Sequence, residues 1–139
     1  RKESSAASDV YKRQLQLLDK IKFINSYSFI FSPRPGTVAS DLKLISKETS
    51  QKRLEIIQNL LFEDQIKKNK SLENKIISVL VENQMKDKKK LFGRSEHMTS
   101  VIFDGKEENI GKLIPVKIIG SNKNTLFGKM IENYNKKVA

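Results

Sequence analysis

Cysteine is absent from the 139 residues, and histidine occurs once. The first absence excludes disulfides, thiolate zinc sites, a cysteine nucleophile and an iron–sulfur cluster ligated by this chain. The second leaves too few imidazoles for a His-rich metal site or a Ser-His-Asp triad. No apolar run approaches the roughly 20 residues that span a bilayer. The first apolar cluster, Leu15 to Leu18, is short and followed by charge, so no signal peptide is read. The default expectation is a cytoplasmic protein without a membrane partner.

What is present is positive charge. Lys and Arg total 27 against 16 Asp and Glu, a formal net charge of +11. A polyanion is the natural partner of such a chain. The plain alternative is a lysine-rich proteome. Hydrophobic residues make up 37% of the chain, lean but sufficient for a globular core.

The chain begins with Arg1, and residues 1–14 (RKESSAASDVYKRQ) are polar with no evident amphipathic period. This stretch resembles translated sequencing-adapter sequence. It is read as a non-native lead-in, which would make the chain a truncated one; a genuine disordered or helical lead-in is the plain alternative. Leu17, Leu18, Ile21 and Ile24 then fall at helical spacing, the end of an amphipathic helix. Tyr27 to Phe31 (YSFIF) is aromatic and β-branched and predicts a buried strand. Ser32-Pro33-Arg34-Pro35-Gly36-Thr37 stops it and forces a stiff loop. Helix, strand and loop in this order suggest an α/β unit. In α/β barrels, such loops at strand carboxyl ends line the active-site face. Arg34, held between two prolines, is therefore a candidate for the substrate or cofactor face. Pairing with a structural carboxylate is the equal alternative.

Ser46 to about Asn69 reads as a helix joining two modules. Leu54, Ile57, Leu61 and Ile66 form its apolar stripe, and Ser46 or Thr49 caps it. From Lys75 the period changes to two. Ile77, Val79 and Val81, then Leu91 to Ser95, Val101 and Phe103, Ile114, Val116 and Ile118, and Leu126 with Met130 mark five short strands. Asp104-Gly105 and Gly120-Ser121-Asn122 supply turns. Five antiparallel strands at this spacing predict a small closed or nearly closed barrel, with Pro115 at a strand start or edge.

The barrel carries the clearest binding candidates. Lys86, Lys88, Lys89 and Lys90 cluster in the first inter-strand loop, diluted by Asp87, and Leu91-Phe92-Gly93-Arg94 follows. Lysines beside an exposed aromatic and an arginine suit phosphate contact plus base stacking. A solvated hairpin tip is the plain alternative. His97 in a polar turn reads as surface, and Glu107-Glu108 as a solvated pair. No catalytic residue and no metal ligand is assigned.

Several motifs together resemble a known family. Tyr27-Ser28-Phe29-Ile30-Phe31-Ser32-Pro33-Arg34-Pro35-Gly36-Thr37, Ala39, Asp41-Leu42 and Arg53-Leu54 resemble the late barrel segment of the radical-SAM tRNA methylthiotransferases. Leu80-Val81-Glu82, Phe92-Gly93-Arg94-Ser95-Glu96, Val101-Ile102-Phe103-Asp104-Gly105, Ile110-Gly111-Lys112, Val116-Lys117-Ile118 and Leu126-Phe127-Gly128-Lys129 resemble the family's TRAM domain. The aromatic approach to the loop favours the dimethylallyladenosine branch. The threonylcarbamoyladenosine branch shares a similar loop and is the alternative. Val38 in place of proline and Ser95 in place of threonine depart mildly from the pattern.

The resemblance implies an α+β fold: a helix-strand-helix piece of the radical-SAM barrel, then an OB-like five-stranded TRAM barrel. It implies a division into a lead-in (1–14), a barrel segment with connecting helix (15–70), an RNA-binding TRAM domain (71–135) and a tail (136–139). It implies a monomeric enzyme using two 4Fe–4S clusters and S-adenosylmethionine, with tRNA as partner. It modifies C2 of an isopentenylated adenosine beside the anticodon. This chain lacks the cluster cysteines and would be inactive alone. The rival readings are a stand-alone RNA-binding module and a structural protein whose charge is incidental.

Overall fold

The structure, a computed structural model, describes residues 5–87 and 89–131. The chain divides into two compact units, Arg1–Asp64 and Gln65–Ala139. The elements are α1 (Ser5–Lys20), α2 (Lys47–Ser71), β1 (Ile76–Gln84), β2 (Lys90–Ser95), β3 (Ser100–Asp104), β4 (Leu113–Ser121) and β5 (Thr125–Met130). The unit division falls inside α2.

In the first unit, two expectations need correction. The polar lead-in is helical from Ser5 onward. Ala7, Ser8, Tyr11, Leu15 and Leu18 are half-buried, and beyond the adjacent first two they recur every three or four residues, so a helical period runs through it. The helix also ends at Lys20, short of Ile24. The second correction concerns Tyr27 to Phe31, which forms no strand. Tyr27 is 81% exposed and Phe29 83%. Strand propensity expresses itself only against a partner that takes up the backbone N–H and C=O groups and covers the side chains. No described segment pairs with this one.

The loop that follows is ordered locally. The Thr37 backbone N–H donates to the Arg34 carbonyl at 3.3 Å, and the Thr37 hydroxyl donates to the same oxygen at 2.8 Å. Pro35 and Gly36 occupy the central turn positions, Gly36 at φ +80°, which is type II turn chemistry. Ser40 Oγ then donates to the Thr37 carbonyl at 2.6 Å, opening a 3-10 turn over Val38–Asp41. Ser46 caps α2 as expected: its Oγ accepts from the Thr49 N–H at 3.2 Å.

The second unit is a closed barrel in the order β1-β2-β3-β5-β4. The five strands fall where the alternation placed them. Four pairings are antiparallel, but β3 and β5 run parallel, joined through the intervening β4. Pro115 is the third residue of β4, just outside the β4–β5 ladder that starts at Val116. Inward positions build one core: Val79, Val81, Leu91, Val101, Phe103, Ile114, Val116, Ile118 and Leu126. Leu72, Ile77 and Met130 pack against it. Gly93 and Gly128 also point inward. A Cβ on Gly93 would collide with the Leu80 carbonyl and the Val79 side chain, and one on Gly128 with Val116 and, at 2.9 Å, the Lys117 carbonyl. Neighbouring strands close tightly at both sites because no side chain intervenes.

One buried polar residue docks the end of α2 on the barrel. Asn69 is 1% exposed. Its Nδ2 donates to the Asn122 and Lys123 carbonyls at 2.8 and 3.0 Å, and its Oδ1 accepts from Gln65 at 3.1 Å. Asn74 then takes φ +65° and donates its N–H to Ile118 O at 2.8 Å, turning the chain out of the helix and into β1.

Candidate nucleic-acid interface

The β1–β2 loop is shaped by its one acid. Asp87 Oδ1 accepts from the backbone N–H groups of Lys89 and Lys90, both at 3.2 Å. The Met85 N–H donates to Lys90 O at 2.8 Å and closes the hairpin. Asp87 is therefore a turn former as well as the one negative charge of the loop. Lys86, Lys89 and Lys90 are exposed around it. Lys88, expected in the same cluster, lies outside the described residues.

On β2 the inward residues are Leu91, Gly93 and Ser95, so Lys90, Phe92 and Arg94 face outward. Phe92 is half-buried on that outer face. The Arg94 guanidinium lies 5.4 Å from the Phe92 ring centroid, an arginine–aromatic stack. Arg94 also pairs with Glu82, Nε to Oε1 at 3.2 Å, and its Nη1 donates to the Met98 carbonyl at 3.2 Å. The guanidinium is thus held by three neighbours and offers a phosphate fewer donors than a free arginine would.

Other singled-out residues do not converge. Arg34 is exposed at its turn, in the other unit, and no described carboxylate pairs with it. His97 is exposed and faces Glu96 at 3.5 Å. Glu107 and Glu108 are exposed in a 3-10 turn over Glu107–Asn109. Among the described residues, no three His, Asp or Glu side chains group to hold a metal ion. With no cysteine in the chain, its residues do not fit an iron–sulfur cluster.

Sequence reasoning missed the rest of the outer face. The tetrapeptide Leu91-Phe92-Gly93-Arg94 recurs as Leu126-Phe127-Gly128-Lys129. In both copies leucine and glycine point inward, and phenylalanine and the basic residue outward. The two copies lie on β2 and β5, either side of β3. That internal repeat was the available signal.

Residues 70–131, the end of α2 and this barrel, match the TRAM domain family. The chain as a whole is similar to one segment of longer enzymes. It is 67% identical over 129 residues, 93% of its length, to the tRNA-2-methylthio-N(6)-dimethylallyladenosine synthase of Pelagibacter ubique. It is 42% identical over 85% of its length to the enzyme of that name from Buchnera aphidicola subsp. Baizongia pistaciae, and 36% identical over 84% to that from Ruthia magnifica. The chain spans 27 to 29% of the length of these curated relatives. The family resemblance read from the motifs therefore extends along nearly the whole sequence.

Proposed function

We propose that this chain is the carboxyl-terminal, tRNA-holding part of a radical-SAM methylthiotransferase. That enzyme adds a methylthio group to C2 of N(6)-dimethylallyladenosine next to the anticodon. The observation that supports this most is the 67% identity running over 93% of the chain, through both units. The barrel's role is to grip tRNA through phosphate contacts from Lys86, Lys88, Lys89 and Lys90, with Phe92 and Arg94 beside them. The same reading assigns Arg34 to the substrate or cofactor face of the enzyme. The two 4Fe–4S clusters and S-adenosylmethionine belong to the part of the relatives that this chain does not match. The chain alone transfers no methylthio group. The reading extends to a cytoplasmic, monomeric enzyme. Among the described residues no helix is long and apolar enough to cross a membrane.

Binding of a tRNA anticodon stem-loop by the full chain, followed by fluorescence anisotropy across a salt series, tests the grip. The log of affinity falls linearly with the log of salt concentration. Replacing Lys88, Lys89 and Lys90 together by alanine flattens that slope and leaves the melting curve in place. Absence of binding at low salt overturns the reading. Sequencing the gene upstream tests the enzyme assignment separately. A reading frame carrying CxxxCxxC ahead of this segment supports it. A start codon near Leu15 leaves only an RNA-binding module.

A further inference from the structure

The outer surface of β2, β3 and β5 carries side chains in register. Phe92 pairs with Ile102, and Ile102 with Phe127, so the three form one row across adjacent strands. Strand alternation puts all three outside the barrel core. The row toward the β1–β2 loop is Lys90, Asp104 and Lys129, and Lys117 on β4 lies opposite Lys129. The row on the other side is Arg94, Ser100 and Thr125.

An aromatic on the solvent side of a closed barrel adds nothing to the interior. Two of them flanking an isoleucine, with a border of three lysines and one aspartate that is net positive, match a ligand having flat apolar faces on an anionic backbone. Cross-strand neighbours are about 4.8 Å apart, which sets the two phenylalanines roughly 10 Å apart. Helically stacked bases rise only about 3.4 Å. Bases seated on both rings are therefore splayed, and a duplex, whose base faces are already covered, has none to offer.

We propose that this face takes unpaired nucleotides of RNA, with bases stacked on Phe92 and Phe127 and phosphates along Lys90, Lys129 and Lys117. The inference rests on the RNA-binding reading above and adds that the contact discriminates single strands from helices. Arg94, held over Phe92, extends the stacking surface and is not a phosphate clamp.

The chain has no tryptophan, so Phe127→Trp makes a unique fluorophore on the face. The full chain carrying this change is titrated with a ten-nucleotide unpaired RNA and with a duplex of equal length. The single strand quenches the indole and the duplex does not. A tryptophan placed instead at Leu113, 67% exposed at the start of β4 and outside the β4–β5 ladder, is not quenched. Phe127→Ala weakens single-strand binding by roughly 5- to 100-fold with an unchanged salt slope. Lys129→Ala instead lowers the slope by about 0.7. Circular dichroism melts check that the variants fold; if Phe127→Ala does not, the quenching comparison decides. Full affinity in Phe127→Ala, or equal quenching by duplex, overturns this inference while tRNA binding by the unaltered chain keeps the earlier reading. No RNA binding by the unaltered chain removes both.

Discussion

The two units have similar lengths of chain and opposite relations to their apolar residues. In the barrel, nine apolar side chains are buried, and each strand turns one face inward. In the first unit, no described apolar side chain reaches that state, and Tyr27, Phe29, Val38 and Leu42 are each more than 60% exposed. The barrel's strands satisfy one another, because closure leaves no edge. The Tyr27 to Phe31 segment is also rich in aromatic and β-branched residues and pairs with no strand among the described residues. Apolar content is thus not what separates the units; mutual pairing is. In the first unit, half-buried Leu15, Leu18, Leu54, Ile57 and Leu61 are joined by polar and stacking contacts. The Arg53 guanidinium lies 4.9 Å from the Tyr11 ring and donates to Ser8 Oγ at 3.0 Å, and Lys22 pairs with Asp64 at 3.3 Å.

Limited proteolysis gives the sharpest contrast. Segments with few buried apolar contacts open at low free energy and are cut first. Digestion is expected to leave a resistant core near residues 65–131, read by mass spectrometry. A resistant core that retains Tyr27 would overturn the contrast. Single substitutions put numbers on it. Phe103→Ala removes a ring that is 2% exposed and should destabilise the barrel by about 3–5 kcal/mol in urea unfolding. Phe29→Ala, at a ring 83% exposed, should change stability by less than about 0.5 kcal/mol. Comparable losses at the two sites would mean that the first unit buries Phe29 in solution.

Asn69 ties α2 to the barrel by polar rather than apolar means. Asn69→Ala leaves the Asn122 and Lys123 carbonyls without their buried donor, an expected loss of about 1–3 kcal/mol. Asn69→Asp costs more, because a carboxylate cannot donate to either carbonyl and is buried as a charge. Equal melting temperatures for Asp and Asn at this site would show that the side chain is solvated.

The barrel was readable from sequence because alternation, turn residues and length agreed at each strand, from Ile77 to Leu126. Its closure through a parallel β3–β5 pair was not, since strand order depends on non-local pairing that no local pattern encodes. Asn69 was hidden in a basic run, Lys67 to Lys70, where a solvated helix end was the natural reading. The first unit misled for a related reason: Tyr27 to Phe31 states what the segment would do beside a neighbour. At the interface, the loop lysines and Phe92 were visible as a local cluster. Phe127 and Lys129 join them only through register, 35 residues along the chain from Phe92 and Arg94.

The smallest expected effect concerns the outer face itself. Glu82 and Arg94 are about one-third exposed, and their contact spans β1 and β2. A pair so placed contributes at most about 1 kcal/mol, because solvent screens it and the side chains lose freedom in forming it. Glu82→Gln should therefore barely shift the melting curve. It also removes a negative charge beside Phe92 and leaves the Arg94 guanidinium with a neutral neighbour in place of the carboxylate. RNA affinity should then rise, by less than tenfold, with a steeper dependence on salt. A fall in affinity would mean that the carboxylate's hold on Arg94 over Phe92 matters more to RNA than the charge it cancels, and the stacking row would then extend to Arg94 as a fixed member.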